Sequence, residues 1–258
     1  VTASAKEQVF MSNSKDLVVL VEDEEALGEG LLFNFEAEGY EVQWQNDGIK
    51  GMKYIAENHA STSLIVLDLM LPGLDGFEIL KRTREIAERI PIIVLSAKSL
   101  ESDKLHAFEL GADDYVIKPF SLAELLMRMR TLIKKSQWYK EKNVSDSYQA
   151  GDATFFPEKL VVKKSDGVSE RLSPTEGLLL QTFIENENKI LTRADLLDKV
   201  WNQQKTMQTR TVDVFVSKLR KHIETDAAAP RFLLSLRSVG YAYVTDPGLR
   251  KELENKSS

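Results

Sequence analysis

The chain has no cysteine. Disulfides, iron–sulfur clusters and thiolate zinc sites are excluded, and a reducing compartment, the cytoplasm, is the expected setting. Histidine is scarce as well: His59, His106 and His222 are isolated and show no metal-ligand spacing. No apolar run approaches the roughly 18 residues of a membrane span, and the longest, Leu17–Val21, has the length of a strand. The residues before it are polar and lack the apolar centre of a signal peptide. What is present is ordinary for a globular protein: 43% hydrophobic and 29% charged residues, too apolar for a disordered chain. At 258 residues, two domains are expected. Charge is divided unevenly between the halves. Residues 1–135 carry 15 Lys and Arg against 23 Asp and Glu, whereas residues 136–258 carry 19 against 17. The first half would be repelled by nucleic acid, and the second could tolerate it.

Residues 1–15 read as a loose tail, within which Met11 is a candidate start. From 16 to 135, short apolar runs alternate with helical patterns. The runs are Leu17–Val21, Tyr40–Trp44, Leu64–Leu67, Ile92–Leu95 and Tyr115–Ile117. Such continuous runs suit parallel strands buried on both faces, and five β–α units predict a doubly wound, flavodoxin-like α/β sheet. Residues 136–149 lose periodicity and read as a linker, and 247–258 as a C-terminal tail. Residues 150–246 open with short β-like pieces around a Ser165-Asp166-Gly167 turn. Ser173-Pro174-Thr175-Glu176 is a capping box, and Thr192-Arg193-Ala194-Asp195 starts a second helix similarly. A third helix over about 209–224 and a hairpin over Phe232–Val244 complete a smaller α+β domain, with a winged helix-turn-helix as the leading architecture.

The chemistry gathers at strand ends. Glu22 and Asp23 follow the first strand, Asp68 the third, Ser96 the fourth and Lys118 the fifth. In an open parallel sheet these ends share one edge, where ligands bind. A single Asp there is more often a turn or cap, but the whole set is a site. Three carboxylates repel one another unless a cation joins them, and a hard divalent ion, Mg²⁺, suits oxygen ligands. A carboxylate beside such an ion can attack phosphorus, while an ammonium and a hydroxyl hold the phosphoryl oxygens.

The segments LVVLVEDEE, LIVLDLMLPGLDGFEIL, PIIVLSAKS and GADDYVIKPFS closely resemble the receiver domains of bacterial response regulators, over about residues 16–135. The resemblance implies that a sensor histidine kinase donates phosphate to Asp68, with Mg²⁺ held by Glu22, Asp23, Asp68 and the backbone carbonyl of Met70. It implies a switch pair, Ser96 and Tyr115, and a cis peptide at Lys118–Pro119. The charged residues Lys104, Glu109, Asp113, Asp114, Glu124, Arg128 and Arg130 are by default a solvated face. Their pattern nevertheless resembles the OmpR/PhoB subfamily, which dimerises through this face when phosphorylated. That resemblance pairs Lys104 with Glu124, Asp114 with Arg128 and Glu109 with Arg130.

In the third helix of the second domain, Val212, Val216, Leu219 and Ile223 form a core stripe, and Arg210, Val214, Ser217, Lys218 and Lys221 lie opposite. This outer face is only modestly basic. The segments LSPTEGLLLQTFIENENKILTRADLLDKVW, TRTVDVFVSKLRKHI and RFLLSLRSVGYAYV resemble the winged helix-turn-helix of the same subfamily. By that resemblance the third helix reads double-stranded DNA through Arg210, Thr211, Phe215, Ser217, Lys218 and Arg220, with Ser235, Arg237 and Tyr241 in the wing. Phe215 stands where a polar residue is frequent, and Ser238 where glycine is common. The expected function is a phosphorylation-controlled transcription regulator, not an enzyme, with RNA polymerase as a further partner and no membrane association. A phosphoaspartate phosphatase is the competing class, but it wants an acid two residues after the nucleophile, where Met70 stands. A phosphorylation-independent interaction module is the third.

Overall fold

The computed structural model describes residues 15–141, 147–201 and 210–257. The first domain is a parallel sheet in the order β2-β1-β3-β4-β5, formed by β1 (Leu17–Val21), β2 (Glu41–Gln45), β3 (Thr62–Asp68), β4 (Ile92–Ser96) and β5 (Asp114–Ile117). Five helices join and flank them: α1 (Glu25–Ala37), α2 (Gly48–Asn58), α3 (Gly76–Ile86), α4 (Glu101–Leu110) and α5 (Leu122–Glu141). Every residue of β1 and β4 is buried, as expected of strands covered on both faces. Alternate residues feed two layers. Val19, Val21, Ile65 and Leu67 face the side of α2, α3 and α4, while Val18, Leu20, Leu64 and Val66 face α1 and α5.

The segment read as a linker begins as the last turns of α5, which runs to Glu141, and ends in a strand at Tyr148. An antiparallel sheet follows, β6 (Tyr148–Ala150), β7 (Ala153–Phe156), β8 (Val161–Lys164) and β9 (Ser169–Arg171), with the expected turn between the last two. Gly167 takes φ +89° there, a left-handed conformation that glycine adopts freely. Next come α6 (Pro174–Glu185), β10 (Ile190–Thr192), α7 (Arg193–Trp201) and α8 (Arg210–Ile223), then the hairpin β11 (Leu233–Leu236) and β12 (Gly240–Tyr243). The capping box on α6 is complete: Glu176 N donates to Ser173 Oγ, and Ser173 N donates to Glu176 Oε2. The segment read as a C-terminal tail is instead a helix, α9 (Pro247–Ser257), whose Leu249 and Leu253 cover the outer face of the hairpin.

The two domains share one apolar core. The layer beneath α3 and α4 continues without interruption into the interior of the second domain. The Phe108 ring of α4 meets the Phe215 ring of α8 at 5.7 Å, and Phe215 meets Trp201 at 5.1 Å, edge-on. Helix α5 packs on α6, and α4 on α8.

Candidate functional site

The strand ends converge as the topology requires. Asp68 closes β3, and the helix after it starts close by: a Cβ on Gly76 would lie 2.4 Å from the Asp68 carbonyl oxygen. Only glycine permits that approach, so Gly76 sets how tightly α3 follows the Asp68 turn. Asp68 Oδ1 accepts from Met70 N at 2.7 Å, and Lys118 Nζ lies 2.5 Å from Asp68 Oδ2. The same ammonium donates to both Glu22 oxygens at 2.8 Å. Glu22 is fully buried, Asp68 nearly so, and Asp23 is exposed at the mouth. Ligand oxygens of Glu22, Asp23 and Asp68 all lie within 4.8 Å of one another.

The electrostatics describe a pocket with surplus negative charge. Burial pushes the Glu22 carboxyl up to about 7, its hydrogen bond to Lys118 opposes this, and neighbouring Asp68 adds to the rise. Burial disfavours the Lys118 charge, but hydrogen bonds to Asp68 and Glu22 outweigh it and hold the ammonium above its ordinary value. One lysine cannot balance two buried carboxylates and a third at the rim. A hard divalent cation with oxygen ligands fits this donor set.

Ser96 ends β4, fully buried, and its Oγ accepts from Lys98 N at 3.1 Å. The Tyr115 ring is buried, and its hydroxyl donates to the Lys98 carbonyl at 2.8 Å. Lys118–Pro119 is cis.

The charged face of α4, β5 and α5 is knitted together within the chain. Arg128 Nη1 donates to both Asp114 oxygens at 2.8 Å and also pairs with Glu124. Lys104 is buried, facing Asp114, Arg128 and Glu101, and its ammonium is held below the usual lysine value by burial. Arg130 pairs with Glu38, and Glu109 lies near His106. Asp113 is fully buried: Arg84 Nη2 and Ile92 N donate to its Oδ2 at 2.6 and 3.0 Å. No sequence signal pointed to Arg84, which also donates to the Gly111 and Ile90 carbonyls at 2.8 and 2.6 Å.

On α8 and the wing, Arg210, Ser217, Lys221, Ser235 and Arg237 are exposed, and Val214 and Lys218 are half-buried. Lys218 pairs with Glu176 Oε1 at 3.3 Å. Thr211, Phe215 and Tyr241, expected on the DNA-facing side, are buried instead. Phe215 lies at the edge of the core stripe, where Trp201 and Phe108 enclose it. The Tyr241 hydroxyl donates to Asp213 Oδ1 at 2.6 Å, and Arg193 Nε donates to the same oxygen at 2.8 Å. Burial, reinforced by Asp213, pushes the Tyr241 phenol up to about 12. Arg220 donates to the Leu233 carbonyl and to Ser235 Oγ, tying α8 to β11.

Comparison with known proteins agrees with this layout. Residues 18–130 match the family described as "Response regulator receiver domain", and residues 167–243 the one described as "Transcriptional regulatory protein, C terminal". The chain is 36% identical over 225 residues to the sensory transduction protein RegX3 of Mycolicibacterium smegmatis, covering 87% of this chain and 97% of that one. It is 34% identical over 237 residues to a "Probable transcriptional regulatory protein" of Picosynechococcus sp., covering 90% and 94%. Among solved structures, a mutant of RitR shares the fold with a TM-score of 0.69 at 22% identity, over 88% of this chain and 98% of that one. With a receiver sheet carrying the acid–hydroxyl–lysine set at its carboxyl edge, and a winged helix behind it, this chain belongs to the OmpR/PhoB family of two-component response regulators, DNA-binding regulators of transcription.

Proposed function

We propose that Asp68 accepts a phosphoryl group from a sensor histidine kinase and that its acylphosphate controls dimerisation and DNA binding in the cytoplasm. The observation that carries this reading is the placement of Asp68 at the end of β3, where the Lys118 ammonium bridges it to the buried Glu22 carboxylate. The carboxylate attacks the phosphorus of a phosphohistidine, the P–N bond breaks, and the imidazole nitrogen leaves with the bonding pair. Glu22, Asp23, Asp68 and the Met70 carbonyl would hold Mg²⁺, which supplies charge neutralisation on the phosphoryl oxygens when bound. Lys118 shifts its donors from the carboxylates to the phosphoryl group, and the Ser96 hydroxyl, released from Lys98 N, donates to it. Tyr115, buried behind Ser96, is positioned to register that movement.

Dimerisation follows through the α4–β5–α5 face, with Lys104–Glu124, Asp114–Arg128 and Glu109–Arg130 pairs exchanged partly across a two-fold axis. The paired DNA-binding domains then occupy tandem half-sites, gaining affinity through effective concentration and presenting a surface to RNA polymerase. Arg210, Ser217, Lys218 and Lys221 enter the major groove, and Arg237 in the wing meets the backbone or minor groove.

Sedimentation of wild type and Asp68→Asn, with and without Mg²⁺ and beryllofluoride, tests this reading. A monomer-to-dimer shift in wild type alone is the expected result. Identical behaviour of the two proteins would refute activation through Asp68.

A further inference from the structure

The backbone of Glu22 is tied on both sides to β2, the edge strand of the receiver sheet. In the parallel pairing of β1 with β2, Leu20 lies beside Trp44 and Val21 beside Gln45. The ladder runs one residue past β1: Glu22 N donates to the Gln45 carbonyl at 3.0 Å. The Glu22 carbonyl accepts from the Trp44 indole, whose Nε1 lies 2.8 Å away. These two bonds are separate from those that Lys118 makes to the Glu22 carboxylate. Trp44 itself is half-buried and packs on the α1 side of the sheet.

A glycine in α1 makes room for that indole. Gly28 is buried in the first half of the helix, and a Cβ there would lie 2.2, 2.3 and 2.7 Å from Trp44 Cζ2, Cε2 and Nε1. Around Gly30, two residues on, the corresponding space is open. Glycine is the poorest helix former after proline, so the helix gives no reason for it at position 28. The ring does. The donor atom is one of the three that a Cβ would meet, so any other side chain at 28 would push the N–H off the Glu22 carbonyl.

We propose that Trp44 is a positioning residue for Mg²⁺: seated in the Gly28 notch, its indole N–H fixes the plane of the Glu22–Asp23 peptide and so the orientation of the two acids that follow β1. This rests on the reading of Glu22, Asp23 and Asp68 as the Mg²⁺ set. A peptide unit is planar, so a bond to the Glu22 carbonyl also fixes Asp23 N and Cα. The Glu22 side chain is buried and held by Lys118, whereas Asp23 is exposed at the mouth. The peptide plane therefore sets the direction from which Asp23 approaches an ion. Mg²⁺ demands near-octahedral ligation with short bonds, while Ca²⁺ accepts more ligands in a looser arrangement. Ligands held in one orientation thus favour the smaller ion.

Calorimetric titration of the full chain with Mg²⁺ alone and with Ca²⁺ alone tests this in wild type, Trp44→Phe, Gly28→Ala and the double variant. Trp44→Phe keeps an aromatic ring and removes the donor. Its Mg²⁺ affinity should fall roughly tenfold, the usual effect of losing a group that orients a metal ligand. Its Ca²⁺ affinity should fall by less, so the preference for Mg²⁺ narrows. Gly28→Ala displaces the indole and should act in the same direction. In the double variant the two losses should not add, because the N–H is already gone. In wild type, the indole N–H resonance of Trp44 should shift as Mg²⁺ is added. Unchanged Mg²⁺ affinity in Trp44→Phe, or equal losses for the two ions, would overturn the positioning role. A wild-type indole resonance indifferent to Mg²⁺ would do so even if the variants fail to fold. If wild type binds neither ion, the Mg²⁺ reading falls and takes this role with it; if wild type binds Mg²⁺ and the variants match it, only the role of Trp44 falls.

Discussion

Individual residues divide into those whose role follows from type and position and those whose role is created by a neighbour. The acid–hydroxyl–lysine set is of the first kind, because strand ends in a parallel sheet must share an edge, so Glu22, Asp68 and Lys118 were legible from spacing. Asp113 and Arg84 are of the second kind. A surface charge and a buried fastening have the same letters, and only the fold brings Arg84 to the Gly111 carbonyl and the Asp113 carboxylate. Ser238 shows a readable departure with a measurable consequence. It turns between β11 and β12 at φ +61°, exposed, where a left-handed conformation costs a side-chain-bearing residue about 1–2 kcal/mol. Ser238→Gly relieves that strain at the expense of a more flexible unfolded chain. The substitution should raise the stability of the second domain by about 0.5–1 kcal/mol, read as a higher urea midpoint with unchanged slope. The same exchange at Leu160, φ +47°, should destabilise, because Leu160 is buried and its side chain is worth about 1.5–3 kcal/mol.

At the scale of elements, most of the architecture was visible in the sequence. Continuous apolar runs marked four of the receiver strands, the edge strand β2 (EVQWQ) alternating polar and apolar residues, and Ser173 and Thr192 marked where α6 and α7 begin. Boundaries moved by a residue or two, as at β2, which starts at Glu41 instead of Tyr40. Helix α9 was not legible. PGLRKELENKS is mostly polar, and its apolar signal is Leu249 and Leu253, one helical face only four residues apart. What makes it a helix is the surface waiting for it: Leu234, Leu236, Ala242 and Val244 on the outer face of the hairpin. Removing residues 247–258 should uncover that face and cost the second domain about 2–4 kcal/mol, judged from two leucines at about 1.5–3 kcal/mol each with partial relaxation. A thermal melt of the truncated chain should show the second domain unfolding earlier and the receiver unchanged. Coincident melting of truncated and full-length chains would mean that α9 contributes nothing to the hairpin.

At the scale of the whole molecule, the arrangement of the domains could not be read from the sequence, because a contact between two folded surfaces leaves no periodicity. Phe215 gave the one hint, an aromatic ring where the outer face of α8 should begin. The seam also holds Lys135 of α5, whose ammonium donates to the Val200 carbonyl of α7. Burial pushes this lysine down to about 8, with Asp114 and Asp113 opposing the fall. The undocked lysine, titrating near 10.5, binds more protons than the docked one between about pH 8 and pH 10.5, so docking should strengthen as pH rises through that window. Below about pH 8 both states are charged, and the burial cost stands in full. Lys135→Met should tighten docking near neutral pH and flatten its pH dependence, read as protection of α8 amides against exchange. A pH dependence that survives the substitution would place the titrating group elsewhere. Across the same seam, Thr175 N in the first turn of α6 donates to Asp113 Oδ1, and Trp201 Nε1 donates to the Asp113 carbonyl. In the docked arrangement a helix in one domain takes part of its N-terminal capping from a carboxylate in the other. Grafting this winged helix onto a foreign receiver without an acid at that place would leave α6 short of a partner and the indole of Trp201 without its acceptor. The two domains must therefore change together, and a substitution at either side of the seam sets the terms on which the other can vary.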